Sequence, residues 1–394
     1  MKETLEIKSG ALGPVPACTL EIRPFSVFIG PQGSGKSLVA QVLYFFRALP
    51  GLTGFVMAAL ARQPARRPSA ERVVRELLDG LRSPDRAFAG FANPSASLRW
   101  TQDDAALPLG LGLDSRNART RPDQHLKTYV EESMESPTAE SAIFVPTERL
   151  FYSQVRSPLA PQLMRLPLTY MLFSAWMQRA AETIDGWQDG PDTPQGRLVG
   201  DLGRQALGGE AYRRGRLWKW RFRSGRAQRT LDLDMASSGQ RATAPIVLLA
   251  ETLLSLRRRS KVDPGFTIYV EEPEIHLHPD AQRAIVEVLA VMVRAGFRVV
   301  VTTHSLTILY TLNNLVLASD LPRKTTGDVP LPNVRLSKDD VAAYGFGDGA
   351  PADLVDRETG FVDERRLGWV SEKLSDQMNR IMALREGARR SRRS

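Results

Sequence analysis

Residues Gly30-Pro31-Gln32-Gly33-Ser34-Gly35-Lys36-Ser37 fit the pattern G-x-x-x-x-G-K-[ST]. Their types specify phosphate chemistry. Without Cβ atoms at Gly30, Gly33 and Gly35, the loop amides, those of Gln32 and Ser34 included, can close around phosphate oxygens. A helix that follows adds the positive end of its dipole. Lys36 would reach the β and γ phosphates, and the Ser37 hydroxyl would ligate Mg²⁺. The alternative is a glycine-rich turn with a solvated lysine. The flanks argue against it: Pro24 to Ile29 reads as a short buried strand, and Leu38 to Arg47 has apolar residues at helical spacing.

A second set of chemically equipped residues lies far along the chain. Phe266 to Val270 is a β-rich apolar run ending in Glu271-Glu272-Pro273-Glu274-Ile275-His276-Leu277-His278-Pro279. Two adjacent carboxylates at a strand tip suit nucleotide hydrolysis, Glu271 to hold hydrated Mg²⁺ and Glu272 to orient and polarise the attacking water. Adjacent strand residues point to opposite faces, so only an irregular strand end lets both serve one site. A helix from Ala281 to Arg294 and a strand from Phe297 to Thr303 follow, ending at His304-Ser305. That order puts the carboxylates and His304 on one rim of a parallel sheet, where His304 would sense the γ-phosphate.

Between these sets, Ser237-Ser238-Gly239-Gln240 precedes an apolar helix, Pro245 to Leu256. In isolation this is an ordinary N-cap. Ala142 to Pro146 is a further buried strand, ending in the polar residues Thr147-Glu148-Arg149.

The elements needed to position these groups can be followed in outline. Thr4 to Ile7 and Thr19 to Ile22 form a β lead-in, and Glu71 to Leu81 is a helix with Ser69 as a candidate cap. Gln102 to Glu140, rich in Gly, Asp, Arg, Ser and Pro, reads as a surface insertion. Helices over Leu166 to Ile184 and Gly196 to Leu207 would make a hairpin on the order of 30 Å long. In Leu217 to Arg223, Trp218, Trp220 and Phe222 alternate with Lys219, Arg221 and Arg223. This is either a half-buried strand with a charged outer face or a basic strip for phosphates, with Arg213, Arg214, Arg216, Arg226 and Arg229 nearby.

Composition narrows the setting. The chain has 394 residues, one cysteine (Cys18) and four histidines, so an intramolecular disulfide is excluded and no plausible structural zinc cluster is left. The start, Met1-Lys2-Glu3-Thr4, shows no apolar leader, and a cytoplasmic protein without membrane association is expected. Net charge is +9; four arginines of the tail Arg389-Arg390-Ser391-Arg392-Arg393 account for much of it, leaving +5 elsewhere. Nucleic acid is a candidate partner on the tail and the basic strand together.

The order of phosphate loop, Ser-Gly turn, paired carboxylates and histidine resembles the ABC-type ATPase heads of the SMC, RecF and OLD families. It is most similar to stand-alone bacterial OLD-like predicted ATPases, with their Glu-Pro-Glu-x-His-Leu-His-Pro stretch and Pro-x-Glu-Arg strand end, here Pro146-Thr147-Glu148-Arg149. The resemblance implies an α/β P-loop NTPase of ABC/SMC-head type: a mixed β sheet with flanking helices, a β lead-in subdomain and a short helical insertion. The corresponding divisions are residues 1–150 (first ATPase lobe), 151–212 (helical insertion), 213–320 (second lobe) and 321–394 (C-terminal extension with the basic tail).

It also implies ATP and Mg²⁺ as ligands, and a homodimer or higher homo-oligomer in which Ser237, Ser238, Gly239 and Gln240 complete the partner's site. Three positions depart from the family. Gln32 stands where Asn is common, Glu271 where Asp is usual, and Thr147 or Glu148 at the position of the Q-loop glutamine. Too few residues follow His304 for the Toprim nuclease of OLD proteins, so the expected function is an ATP-dependent dimerising switch in bacterial defence against phage or mobile DNA, with a separate effector protein. A RecF/SMC-type DNA clamp is the alternative.

Overall fold

In the computed structural model the described residues are 3–61, 68–80, 92–102, 108–114, 116, 119–135, 141–154, 168–187, 191, 193–215, 217–259, 265–325, 327–363 and 377–382. The arginine tail and Arg216 lie outside them.

Five strands of the central sheet run parallel. They are β3 (Phe25–Ile29), β7 (Ala142–Val145), β11 (Thr267–Glu271), β12 (Arg298–Thr303) and β13 (Val341–Gly345), with β14 (Ala352–Asp353) antiparallel at one edge. Their spatial order is β14-β13-β3-β12-β11-β7. Alternation explains why they read as continuous apolar runs. Val27, Ile143, Ile268, Val299 and Ala343 enter one core, while Phe28, Phe144, Tyr269, Val300 and Ala342 enter the core on the opposite face. Sheets covered on both faces have this signature.

On the second face lies α1 (Lys36–Ala61), which continues through Pro50 well past the helix expected to Arg47. Its first 23 residues match a membrane-spanning helix in length and composition, yet 72% of the apolar window is buried within the fold. Beyond it is an antiparallel sheet of order β2-β1-β4-β5-β6. These strands are β1 (Glu3–Leu12), β2 (Val15–Ile22), β4 (Ala92–Gln102), β5 (Leu109–Asp114) and β6 (Arg119–Pro122). Helices α2 (Ala70–Gly80) and α3 (Gln124–Glu135) pack beside α1.

The surface insertion expected over Gln102 to Glu140 is therefore corrected for its described part. Leu109, Leu111 and Leu113 sit two apart on β5 and face inward with Leu126 and Val130 of α3. Intervening glycines hid this alternation from a composition-based reading.

The first face is covered by α4 (Leu168–Asp185), α5 (Pro194–Leu207), α6 (Ser238–Arg258), α7 (Pro279–Arg294) and α8 (Leu306–Leu317). Neither α4 nor α5 forms a projecting hairpin. Phe173, Trp176 and Met177 of α4 and Val199 and Leu202 of α5 belong to the main core. A Cβ at Gly203 would lie 2.5 Å from Val247, so glycine there lets α5 press directly on α6. The expected boundary between 212 and 213 falls inside β8 (Glu210–Arg214), which pairs with β9 (Leu217–Ser224) and β10 (Ala227–Asp232) in a three-stranded sheet.

Candidate nucleotide site

The glycine loop joins β3 to the first turn of α1, at the carboxyl end of a parallel strand, where open α/β sheets bind ligands. Gly35 adopts φ +90°, and a Cβ on it would meet Val15 at 2.4 Å, so conformation and space both demand glycine. The Lys36 side chain is 5% exposed. Its Nζ donates to the Gly30 and Pro31 carbonyls, both at 2.8 Å. Burial lowers its pKa to about 8 against the opposing pull of Glu272 and Glu274, which places both carboxylates within electrostatic reach of the ammonium. Gln32 and Gly33 are exposed at the loop tip, and Ser34 Oγ closes the turn by donating to the Pro31 carbonyl at 2.8 Å.

Glu271 ends β11 and is 6% exposed. Its carboxylate hydrogen-bonds the Ser37 side chain and the Thr147 backbone. Burial, seconded by the neighbouring Glu148 charge, nevertheless raises its pKa to about 7. The fold thus joins two residues more than two hundred positions apart in one polar contact. Thr147 and Glu148 begin a 3-10 turn (Thr147–Gln154) after β7, so the amide of the first and the carboxylate of the second both border Glu271.

Glu272 departs from the strand with φ +42°. It and His276, at +59°, are the only non-glycine residues with positive φ among the described residues. Such conformations cost on the order of 1–3 kcal/mol each and persist where their surroundings enforce them. Here the Glu272 amide donates to the Thr302 carbonyl at 2.8 Å, and the Arg149 guanidinium donates to the Glu272 carbonyl at 2.7 Å. The irregular tip turns the Glu272 carboxylate toward β12, where its Oε1 lies 3.3 Å from His304 Nε2. Glu274 locks the same corner: its Oε1 accepts from Thr303 Oγ1 at 2.6 Å and from the His304 amide at 2.7 Å.

Ser237 caps α6 in a reciprocal box with Gln240, and Gln240 Nε2 also donates to the Leu207 carbonyl at 3.1 Å. Ser238 opens the helix, and Gly239 is buried because a Cβ there would lie 2.5 Å from the His276 carbonyl. The turn therefore touches the loop after Glu272 in its own chain, while Ser237 remains exposed on the rim.

Arg149 was legible as a polar residue at a strand end and as the arginine of the Pro-x-Glu-Arg resemblance, with no role attached. In the fold it is the largest fully buried side chain among the described residues, and it bonds both Glu271 and Glu272 carbonyls. For the basic strand, Trp220 is buried and Trp218 and Phe222 pack on the core. Lys219 and Arg221 are paired with Asp232 and Glu210, which neutralises much of the outer face.

Residues 181–309, which contain the turn from Ser237 to Gln240, Glu271, Glu272 and His304, match the family described as AAA ATPase domain. The chain is an ATPase. A search of curated proteins returned no significant match. Among solved structures, the ATPase is similar to an SMC head bound to the C-winged helix domain of ScpA, with 12% identity, a TM-score of 0.46, and 90% of this chain and 96% of that chain covered. It is also similar to the SMC head domain from Thermotoga maritima at 11% identity and TM-score 0.39, covering 90% of this chain and 98% of that one. The recombination mediator protein RecF-ATPrS of the RecFOR pathway gives 11% identity and TM-score 0.38, again over 90% and 98%. The candidate site is assembled at the carboxyl ends of β3, β7, β11 and β12.

Proposed function

We propose that this ATPase is an ABC/SMC-head-like, OLD-like switch that closes into a homodimer around ATP and opens after hydrolysis. The observation that supports it most directly is the Glu272 and His304 pair, set beside the buried Glu271 and Ser37 contact and facing the phosphate loop. The loop amides and Lys36 hold the phosphates, with Nζ exchanging the Gly30 and Pro31 carbonyls for phosphate oxygens.

The donor set fits Mg²⁺. Among the described residues no group of three His, Cys, Asp or Glu side chains is placed to cage a metal, and Mg²⁺ characteristically takes one or two protein ligands plus phosphate and water. Glu271 and Ser37 would be those ligands, and the ion would neutralise phosphate charge when bound. Glu272 accepts the proton of the attacking water, and His304 holds that carboxylate from the other side while facing the γ-phosphate.

Ser237 is exposed beside the loop that follows Glu272, which supports the use of Ser237, Ser238, Gly239 and Gln240 on a second copy's nucleotide. The output acts through a separate effector, in the cytoplasm, in defence against phage or mobile DNA. The DNA-clamp reading draws on the exposed Arg223, Arg226 and Arg229 around the β9–β10 turn. It predicts duplex binding that weakens steeply with salt.

The deciding experiment is the solution mass of the Glu272→Gln chain with Mg²⁺, with and without ATP. A nucleotide-dependent doubling supports the switch, and a mass indifferent to ATP rules it out.

A further inference from the structure

Arg149 is 0% exposed, and all four hydrogen bonds of its guanidinium go to main-chain carbonyls. Nη1 donates to Pro146 at 2.9 Å and to Glu271 at 2.6 Å, Nη2 to Glu272 at 2.7 Å, and Nε to Ala242 at 2.9 Å. Three elements meet at this one side chain: the end of β7, the end of β11, and the N-terminal part of α6. A buried cation bound only to carbonyls needs compensating charge, and Glu274, Glu271, Glu272 and Glu148 supply it through space.

Its position also makes it a mechanical link. Ala242 lies just over one helical turn beyond the Ser237 cap, so any shift of the signature turn is felt at its carbonyl. Glu272 lies at the other end of the same planar group, in a left-handed conformation that its main-chain bonds to Thr302, Ile275 and Arg149 hold in place. The guanidinium fork is rigid, and the surrounding core is closely packed. A second contact runs alongside it, the Gly239 approach to the His276 carbonyl in the same loop. The two contacts bracket the segment from Glu272 to His276.

We propose that Arg149 is a positioning residue, coupling engagement of the Ser237 turn by a second copy's nucleotide to the placement of the Glu272 carboxylate for water activation. The inference rests on the composite-site reading above. Docking of γ-phosphate at Ser237 pulls on the first turns of α6, and Arg149 carries that displacement to the Glu272 backbone. Hydrolysis is thereby tied to closure of the dimer.

The test uses Arg149→Lys, which keeps the charge but has a single nitrogen and cannot span the three elements. Binding of a fluorescent ATP analogue should stay within about threefold of wild type while kcat falls by about tenfold, the size of ordinary coupling energies. Adding Ser237→Ala to Arg149→Lys should lower kcat no further than either change alone, since both cut one chain of contacts. Unchanged kcat, a parallel loss of nucleotide affinity, or multiplicative effects of the two substitutions would each overturn the coupling.

Should Arg149→Lys not fold, amide hydrogen exchange on the Glu272→Gln chain with Arg149 intact decides the question. Segments 238–243 and 271–276 should gain protection together on ATP addition and lose that gain together in Ser237→Ala; protection of one without the other overturns the proposal. The ATP-dependent mass of Glu272→Gln separates the two failures. With no dimer the composite reading itself falls, whereas a dimer with wild-type kcat in Arg149→Lys removes only the coupling.

Discussion

His304 Nε2 lies 3.3 Å from Glu272 Oε1, joining the tips of two adjacent parallel strands across the candidate site. The contact exists because Glu272 leaves the extended conformation at φ +42°. A regular strand would have sent its carboxylate to the face opposite that of Glu271. The pair is partly exposed, so a water held by Glu272 can be delivered to a phosphate from the solvent side.

Glu272→Gln should lower kcat by about two to four orders of magnitude, the usual contribution of a positioned general base, while leaving nucleotide affinity within a few-fold. Single-turnover hydrolysis alongside equilibrium binding measures both. Retained turnover would shift the general base to Glu274, whose Oε2 is buried without a hydrogen-bond partner.

Glu271→Gln should keep the bond to Ser37 but remove the charge proposed for Mg²⁺. The Mg²⁺ concentration for half-maximal turnover should rise by about tenfold or more, consistent with the loss of a charge-assisted ligand. A magnesium titration at saturating ATP gives the answer, and an unshifted midpoint would place the ion elsewhere.

Lys36 carries a pKa lowered to about 8, chiefly by burial. It is charged below that pH and neutral above it, and phosphate binding draws on the charged form. Nucleotide affinity should therefore fall as pH rises from 7 through 8 to 9, with proton uptake on binding near the midpoint. Calorimetry in buffers of different ionisation enthalpy detects that uptake. Affinity independent of pH over this span would contradict the shift.

Glu251 on α6 sits against Gly200 of α5, whose added Cβ would lie 2.9 Å from Glu251 Oε1. Burial, then the Glu210 charge, raises its pKa from 4.5 to about 8, with Arg204 opposing. The folded state binds more protons than the unfolded chain across that interval, so this residue's contribution to stability declines as pH rises from 4.5 to 8. Glu251→Gln should melt higher than wild type at pH 8, with the difference shrinking toward pH 5. Thermal melts at the two pH values check the sign.

Gly239→Ala puts a methyl group 2.5 Å from the His276 carbonyl. The cost of overpacking is about 1–3 kcal/mol. Denaturant unfolding should show that loss. Because His276 is backbone at the contact point, strain passes to the Glu272 loop, and kcat should fall beyond what the stability change explains.

Much of the chemistry could be read along the chain because its determinants are local. A glycine-lysine-serine loop between an apolar strand and a helix, two carboxylates after β-branched and aromatic residues, and Ser-Ser-Gly-Gln before an apolar run each depend on a few consecutive side chains. Strands buried on both faces announce themselves as unbroken apolar runs, which is why β3, β7, β11 and β12 fell where expected to within a residue or two.

What depended on distant packing was not legible. Leu109, Leu111 and Leu113 become a strand only because β4 and α3 cover them, and α4 and α5 become core because glycines such as Gly203 admit α6. Arg149 is the sharpest case. Nothing beside it in sequence says that carbonyls of residues 242, 271 and 272 will converge on its guanidinium, since hydrogen bonds to the main chain leave no pattern in side-chain identity. The chain dictated which groups could bind phosphate and move a proton; the tertiary structure decided which of them meet, through close approaches that sequence spacing does not encode.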